Sequence, residues 1–269
     1  MNIALTIAGS DSGGGAGIQA DLKTFQQFGV FGTSVIVALT AQNTRGVRAV
    51  ETVSEAMVSA QLAALAEDLP PSALKTGMLA DATLARLVGK TIREHGWSPL
   101  VVDPVMVSTS GDRLLTPEAE DVVRESLLPL AALVTPNLDE AAILTGRAVH
   151  DETSMTRAGE TLLSFGAGAA LVKGGHLAGD EIVDLLVTPL GVRTFRRRRV
   201  ETTSTHGTGC TLSAAVTAGL AFGRDLETAV ADALDYVHRA IAAAPGLGGG
   251  YGPLNHSVPP NALSSPNTL

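Results

Sequence analysis

Short apolar runs rich in β-branched residues alternate, along most of the chain, with longer stretches whose apolar positions recur every three or four residues. The first pattern suits buried strands and the second amphipathic helices. Their alternation is that of crossover units building a parallel sheet with helices on both faces. The predicted strands are Ile3–Ala8, Thr33–Leu39, Ala73–Thr76, Leu100–Asp103, Ala132–Thr135 and Ala169–Lys173. The predicted helices are Ile18–Phe28, Ser54–Glu67, Ala82–Glu94, Glu118–Leu127, Leu138–Leu144, Met155–Phe165, Thr208–Phe222 and Leu226–Ala244. Two further runs, Ile182–Val187 and Val192–Val200, are joined by Thr188-Pro189-Leu190-Gly191 and read as an antiparallel hairpin at one sheet edge. The expected fold class is α/β, a three-layer α/β/α sandwich with a mostly parallel central sheet. No repeat or linker divides the chain, so residues 1–256 are expected to form one domain. The tail, residues 257–269, has a Pro, Ser and Asn content that gives it little to bury.

Composition narrows the partners. The chain has 269 residues, 45% hydrophobic and 17% charged, which is ample for a core and excludes global disorder. Lys and Arg number 19 against 27 Asp and Glu, a net charge of −8, so there is no broad positive field for a nucleic-acid backbone. A single cysteine, Cys210, excludes an internal disulfide, and the start MNIALTIAGS lacks the charged region of a secretion signal. No apolar stretch reaches the roughly 18 residues a membrane span needs. A soluble protein of the reducing cytoplasm, without nucleic-acid or membrane partners, is expected.

Three segments could carry chemistry. The first is the loop Gly9-Ser10-Asp11-Ser12-Gly13-Gly14-Gly15-Ala16-Gly17 between the first strand and helix, where backbone must approach something closely. Gly15, Gly17 and Ala20 fit a dinucleotide fingerprint, but no Asp or Glu occurs between Asp21 and Glu51 to bind a ribose. A small-molecule binding loop is the better reading, with a plain structural turn as the alternative. Gly89-Lys90-Thr91 imitates the end of a phosphate-binding P-loop, but Leu84 stands where that motif needs glycine, so it reads as helix surface.

The second segment is Thr205-His206-Gly207-Thr208-Gly209-Cys210-Thr211 at a predicted helix start. Converging backbone N–H groups and the helix dipole make an anion site there. A thiol in the first turn is expected to favour its thiolate, suiting a base or nucleophile, although small core filler is the common role of a lone cysteine.

The third lies at predicted strand ends, where open α/β sheets bind ligands, and should gather Lys173, Asp103 and Asn137 along one edge. Lys173, one of only four lysines, precedes Gly174-Gly175 and reads as a phosphate contact. Asn137 and Glu140 open a helix and could be simply an N-cap paired with its third residue. Arg196-Arg197-Arg198-Arg199 lies in the predicted edge strand, where charge blocks edge-to-edge pairing.

The motifs GSDSGGGAGIQADLKT (9–24), LTAQNT (39–44), LKTGML (74–79), VDPVM (102–106), TPNLDEA (135–141), VKGGH (172–176) and HGTGCTLSAA (206–215) occur in that order. With them the chain resembles the hydroxymethylpyrimidine/phosphomethylpyrimidine kinases of thiamine biosynthesis, in the ribokinase-like superfamily, from about Met1 to His256. The resemblance implies phosphorylation of 4-amino-5-hydroxymethyl-2-methylpyrimidine by ATP with Mg²⁺, and then of the monophosphate to the diphosphate. It implies that Gln42 holds the pyrimidine, its carboxamide matching the ring nitrogen and exocyclic amine. Asp21, Met78 and the loop from Gly9 would complete that pocket. Gly207, Thr208, Gly209 and Cys210 would form the anion hole, with Cys210 where most of the superfamily has an aspartate base. Asn137 and Glu140 would organise Mg²⁺ through water, and Asp103 and Lys173 would lie near the nucleotide phosphates.

The resemblance also implies a stand-alone kinase and a homodimer. Some relatives phosphorylate pyridoxal or pyridoxine using a lid thiol; here the corresponding Val107–Asp112 has none, which weakens but does not exclude a vitamin B6 kinase. A non-catalytic pyrimidine-binding protein is the reading from another class. It should have lost the anion hole, the Asn137/Glu140 pair or Lys173, and all are retained.

Overall fold

Alternate residues of the central strands feed different cores, as period-2 side-chain geometry requires when both faces of a sheet are covered. In the computed structural model, which describes residues 1–106, 116–175, 177 and 179–261, Ala73, Val101, Leu133 and Leu171 point to one core. Their neighbours Leu74, Leu100, Val102, Val134 and Ala170 point to the other. The first core is covered by α1 (Gly17–Gln27), α7 (Thr208–Ala221) and α8 (Leu226–Ala242). The second is covered by α2 (Glu55–Asp68), α3 (Ala82–His95) and α4 (Pro117–Val122). A smaller core lies under α5 (Leu138–Thr145) and α6 (Glu152–Ser164).

The sheet has nine strands. They are β1 (Ile3–Asp11), β2 (Phe31–Asn43), β3 (Gly46–Thr52), β4 (Ala73–Thr76), β5 (Leu100–Val102), β6 (Ala131–Val134), β7 (Ala170–Lys173), β8 (Glu181–Thr188) and β9 (Gly191–Arg198). Their order is β3-β2-β1-β4-β5-β6-β7-β8-β9. The six from β2 to β7 are parallel, while β3 at one edge and the β8–β9 hairpin at the other are antiparallel. The expected three-layer architecture is the one formed.

The differences from the sequence reading have local causes. β3 and the extension of β2 to Asn43 were not expected, because β3 is largely exposed and so carries no buried alternating face. The predicted helix Glu118–Leu127 holds α geometry only to Val122. It widens to a π turn over Val123–Leu127 and closes in a 3₁₀ turn at Leu128-Pro129-Leu130, where Pro129 has no N–H to continue the ladder. α6 begins before Met155 because Asp151 caps it in a reciprocal pair with Ser154. The first tail residues are docked: Asn261 Nδ2 donates to Asp235 on α8 at 2.9 Å, and Arg239 reaches the carbonyl of Pro259. Residues 107–112, read above as a lid, and position 176 lie outside the described residues. No described helix is long and apolar enough to cross a membrane.

Candidate active site

The parallel strands all end at one sheet edge, and their carboxyl ends line a pocket of about 830 Å³. Following the sheet order, Gln42 comes from β2, Gly9 from β1, Met78 from the loop after β4, Asp103 from the end of β5, Asn137 from the loop after β6, and Lys173 from β7. The N-terminus of α7, Gly207 to Cys210, lines the same pocket.

On the β1–β2 side, Asp11 organises the glycine loop. Its carboxylate accepts from the amides of Gly13 (2.7 Å), Gly15 (3.0 Å) and Ala16 (2.8 Å), and its Oδ2 lies 2.8 Å from His206 Nε2. Burial pushes this carboxyl up, but the bonds from His206, Ala16 and Gly13 outweigh it and hold Asp11 below the usual range. Ser12 ties the loop to β2: its hydroxyl donates to the Gln42 carbonyl and accepts from the Gln42 amide, both at 2.8 Å. The Gln42 carboxamide lies between Thr40 Oγ1, 3.2 Å from its Oε1, and His206 Nε2, 3.4 Å from its Nε2. A Cβ on Gly9 would come within 2.6 Å of Met78 Cε, so the absent side chain is what lets Met78 lie on the backbone there.

In the middle, Gly207 caps α7 with φ +84°, and a Cβ there would sit 1.8 Å from the Gly15 carbonyl; only glycine joins these two loops. In the first helical turn the Thr208 amide donates to the Thr205 carbonyl at 3.3 Å, while the amides of Gly209 and Cys210 have no carbonyl of the helix behind them and belong to pocket-lining residues. A Cβ on Gly209 would lie 3.3 Å from Lys173 Nζ, which places the lysine against the helix start.

On the β5–β7 side, Asp103 is buried and bonded by Thr135 (3.3 Å), Ser213 (3.0 Å) and Lys173 (3.5 Å). Burial pulls the Lys173 ammonium down, yet Asp103, Glu140 and Cys210 more than reverse this and keep it charged. Asn137 and Glu140 do form the helix cap: the Asn137 side chain accepts from the Glu140 amide (2.9 Å) and Glu140 Oε2 accepts from the Asn137 amide (2.8 Å). Both residues also line the pocket. Burial pushes the Glu140 carboxyl up to about 7, against the pull of Lys173 and the amides of Asn137 and Met106, with Asp103 adding to the rise. Among the described residues no three His, Cys, Asp or Glu side chains are placed to hold a metal by themselves.

Two expectations need correction. Asp21 does not line the pocket; it is fully buried below it, its Oδ1 2.8 Å from Lys75 Nζ and its Oδ2 accepting from Thr6 at 2.6 Å. The favoured thiolate at Cys210 is also overturned. Burial pushes the thiol up to about 12, outweighing Lys75 and the Gly17 amide, while Asp21 and Asp103 push the same way. The helix start is a weaker influence than desolvation.

The sequence reading missed Asp11 and His206, which lie 195 positions apart and announce nothing locally. It missed Lys75, although a lysine between Leu74 and Thr76 in a predicted buried strand signals an ion pair of unknown partner. Arg199, read as an edge charge, turns inward: it lines the pocket and donates to the carbonyls of Gly175 (2.7 Å) and Gly179 (2.9 Å).

The chain is similar to known proteins over most of its length. Residues 11–255 match the model of the phosphomethylpyrimidine kinase family. A hydroxymethylpyrimidine/phosphomethylpyrimidine kinase of Rhizobium meliloti is 55% identical over 257 residues, covering 94% of this chain and 96% of the relative. The thiamine biosynthesis bifunctional protein ThiED of Geobacter sulfurreducens is 47% identical, over 94% of this chain and 51% of its own length. The solved ADP complex of Bacillus subtilis pyridoxal kinase is 38% identical with a TM-score of 0.90, over 96% of this chain and 98% of that one.

Proposed function

The chain belongs to the phosphomethylpyrimidine kinase family, and from that premise we propose that its pocket phosphorylates 4-amino-5-hydroxymethyl-2-methylpyrimidine with ATP and then phosphorylates the monophosphate, in thiamine biosynthesis. One observation carries the reading. A carboxamide suited to a heterocycle edge and an anion-binding helix start backed by a lysine open into a single pocket. Gln42, Gly9 and Met78 hold the ring, which points the hydroxymethyl group toward α7. The hydroxyl oxygen attacks the γ-phosphorus, the bond to the ADP oxygen breaks, and charge on the transferring group is met by the amides of Gly207 to Cys210 and by Lys173.

The hydroxyl proton passes to Cys210 in its ionised form. With the thiol at about 12 that form is the minor one at neutral pH, so the step draws on a small fraction of the enzyme. The second phosphorylation has an anionic phosphate oxygen as nucleophile and needs no base. Mg²⁺ fits the β5–β7 side: Glu140 faces the pocket with a carboxyl that burial leaves short of full ionisation, and Asp103 and Glu140 share Lys173 between them. A hard cation held by a carboxylate, water and phosphates needs no larger protein cluster. The chemistry supplied there would be neutralisation of phosphate charge. Asn137 and Glu140 would hold the ion through water, with Asp103 beside them. The enzyme would work in the cytoplasm as a homodimer.

The likeness to a pyridoxal kinase favours pyridoxal phosphorylation as the second reading. Side-by-side turnover of hydroxymethylpyrimidine and pyridoxal, with mono- and diphosphate products resolved, tests both. Faster turnover of the pyrimidine and a diphosphate product are expected, and preference for pyridoxal would overturn the assignment.

A further inference from the structure

Gln42 is the ring-reading group of the proposed function, yet a glutamine alone cannot choose between heterocycles. A 4-aminopyrimidine offers a donor (the amine) beside an acceptor (N3), and a 4-oxopyrimidine offers the reverse. A carboxamide that can turn over about its last bond matches either. Selectivity requires that the amide be held one way round.

We infer that the Asp11–His206 pair and Thr40 together lock the Gln42 carboxamide with its oxygen toward His206 and its NH₂ toward Thr40, and so select a 4-aminopyrimidine over its 4-oxo counterpart. The inference rests on the reading of Gln42 given above.

Both neighbours of the amide demand the same orientation. Asp11 accepts three amide N–H bonds and is held ionised, so it can only accept from His206 Nε2 at 2.8 Å, and that nitrogen must carry the proton. The structure sets Gln42 Nε2 3.4 Å from His206 Nε2, a placement in which two N–H groups face each other and which turning the carboxamide over about its last bond relieves. On the other side, the single Thr40 hydroxyl proton has a carbonyl to go to, Ser10 O at 3.0 Å. Thr40 Oγ1 therefore presents lone pairs to Gln42 Oε1, 3.2 Å away, and the same turn of the carboxamide replaces that opposition of acceptors by bringing the NH₂ there.

The backbone of Gln42 is pinned as well. The Ser12 hydroxyl holds both its N–H and its C=O, leaving the terminal amide rotation as the main freedom that His206 and Thr40 have to remove. The outward lone pair and the outward N–H then meet a 4-aminopyrimidine in register, whereas a 4-oxopyrimidine brings acceptor to acceptor and donor to donor.

The test is calorimetric binding to the full-length protein without nucleotide, using 4-amino-5-hydroxymethyl-2-methylpyrimidine and its 4-oxo counterpart. The wild type should prefer the amine by about tenfold or more, one unpaired buried polar group being worth that much. His206→Ala and Thr40→Val should each bring the two affinities together, largely by improving the 4-oxo compound. His206→Gln, which returns an N–H donor toward Asp11, should restore the preference. Equal weakening of both ligands by His206→Ala and Thr40→Val, with the ratio unchanged, would overturn the inference; if His206→Ala does not fold, the Thr40→Val ratio decides alone. Gln42→Ala separates the underlying reading. If it leaves both affinities and their ratio untouched, Gln42 does not read the ring. If it abolishes the preference while the His206 and Thr40 variants keep it, only the locking fails.

Discussion

Two lysines close parallel strands of the same sheet in similar surroundings, Leu74-Lys75-Thr76-Gly77 on β4 and Val172-Lys173-Gly174-Gly175 on β7, and the charge clusters around them differ in kind. Under the pocket floor, Lys75 and Asp21 are both fully buried, 2.8 Å apart, and Thr6 takes the remaining carboxylate oxygen. Burial pulls the Lys75 ammonium down, but Asp21, with Cys210 and Asp103, more than offsets this. In the pocket, Lys173 keeps 15% of its side-chain surface, stands 3.5 Å from Asp103, and is shared with a second carboxyl, Glu140. The floor cluster is closed, with each strong group matched, while the pocket cluster has loose distances and unbalanced charge. That openness is what leaves it able to take a phosphate and a cation.

The largest effect that could break this contrast is on stability. Lys75→Met strands Asp21 in the interior and should cost about 3–5 kcal/mol in denaturant unfolding, while Lys75→Met/Asp21→Asn should recover much of it. A loss below about 1 kcal/mol for the single variant would mean that the floor pair is not closed.

Next comes the pocket lysine. Lys173→Ala removes charge stabilisation from the transferring phosphoryl group and should lower kcat by about 10²–10³-fold, with little change in pyrimidine affinity or unfolding midpoint. If the midpoint falls and kcat holds, the two lysines have exchanged roles.

Cys210 lies between the clusters, its thiol drawn down by Lys75 and raised by Asp103. Cys210→Ala should slow the first phosphorylation by at least about a hundredfold and the second far less, since only the first gives up a proton. The first rate should also climb with pH toward the thiol's value of about 12, and the climb should vanish in the variant. Equal losses in both half-reactions would leave Cys210 as a wall of the anion hole.

The smallest effect is a slope. Glu140 has a folded value raised from 4.5 to about 7, so the unfolded chain gives up its proton first as pH rises. The stability that the protonated form contributes is complete below about 4.5 and is lost as pH climbs through about 7, at close to 1.4 kcal/mol per pH unit between the two. Glu140→Gln should flatten that part of the stability profile. An unchanged profile would remove Glu140 from the unbalanced charges of the pocket.

Periodicity alone determined the layers of this protein. Short continuous apolar runs such as Leu100–Val102 need cover on both faces and 3.6-residue patterns such as Ala82–His95 on one, and their alternation leaves a parallel sheet between helices. The glycine loop, the helix start at Gly207 and the cap of Asn137 with Glu140 were legible for the same reason, because their signals are confined to a few adjacent residues. β3 was not, since an exposed edge strand is held by backbone pairing that leaves little trace in side chains.

The tertiary structure alone decided which charges meet. Asp21 belongs to the floor because Lys75, 54 positions away, reaches it there. Asp11 and His206 join across 195 positions, and burial outweighs the helix start at the Cys210 thiol. Local sequence encodes backbone conformation and facing. Ion pairing and proton affinity depend on distance and desolvation, and those exist only once the strands stand side by side.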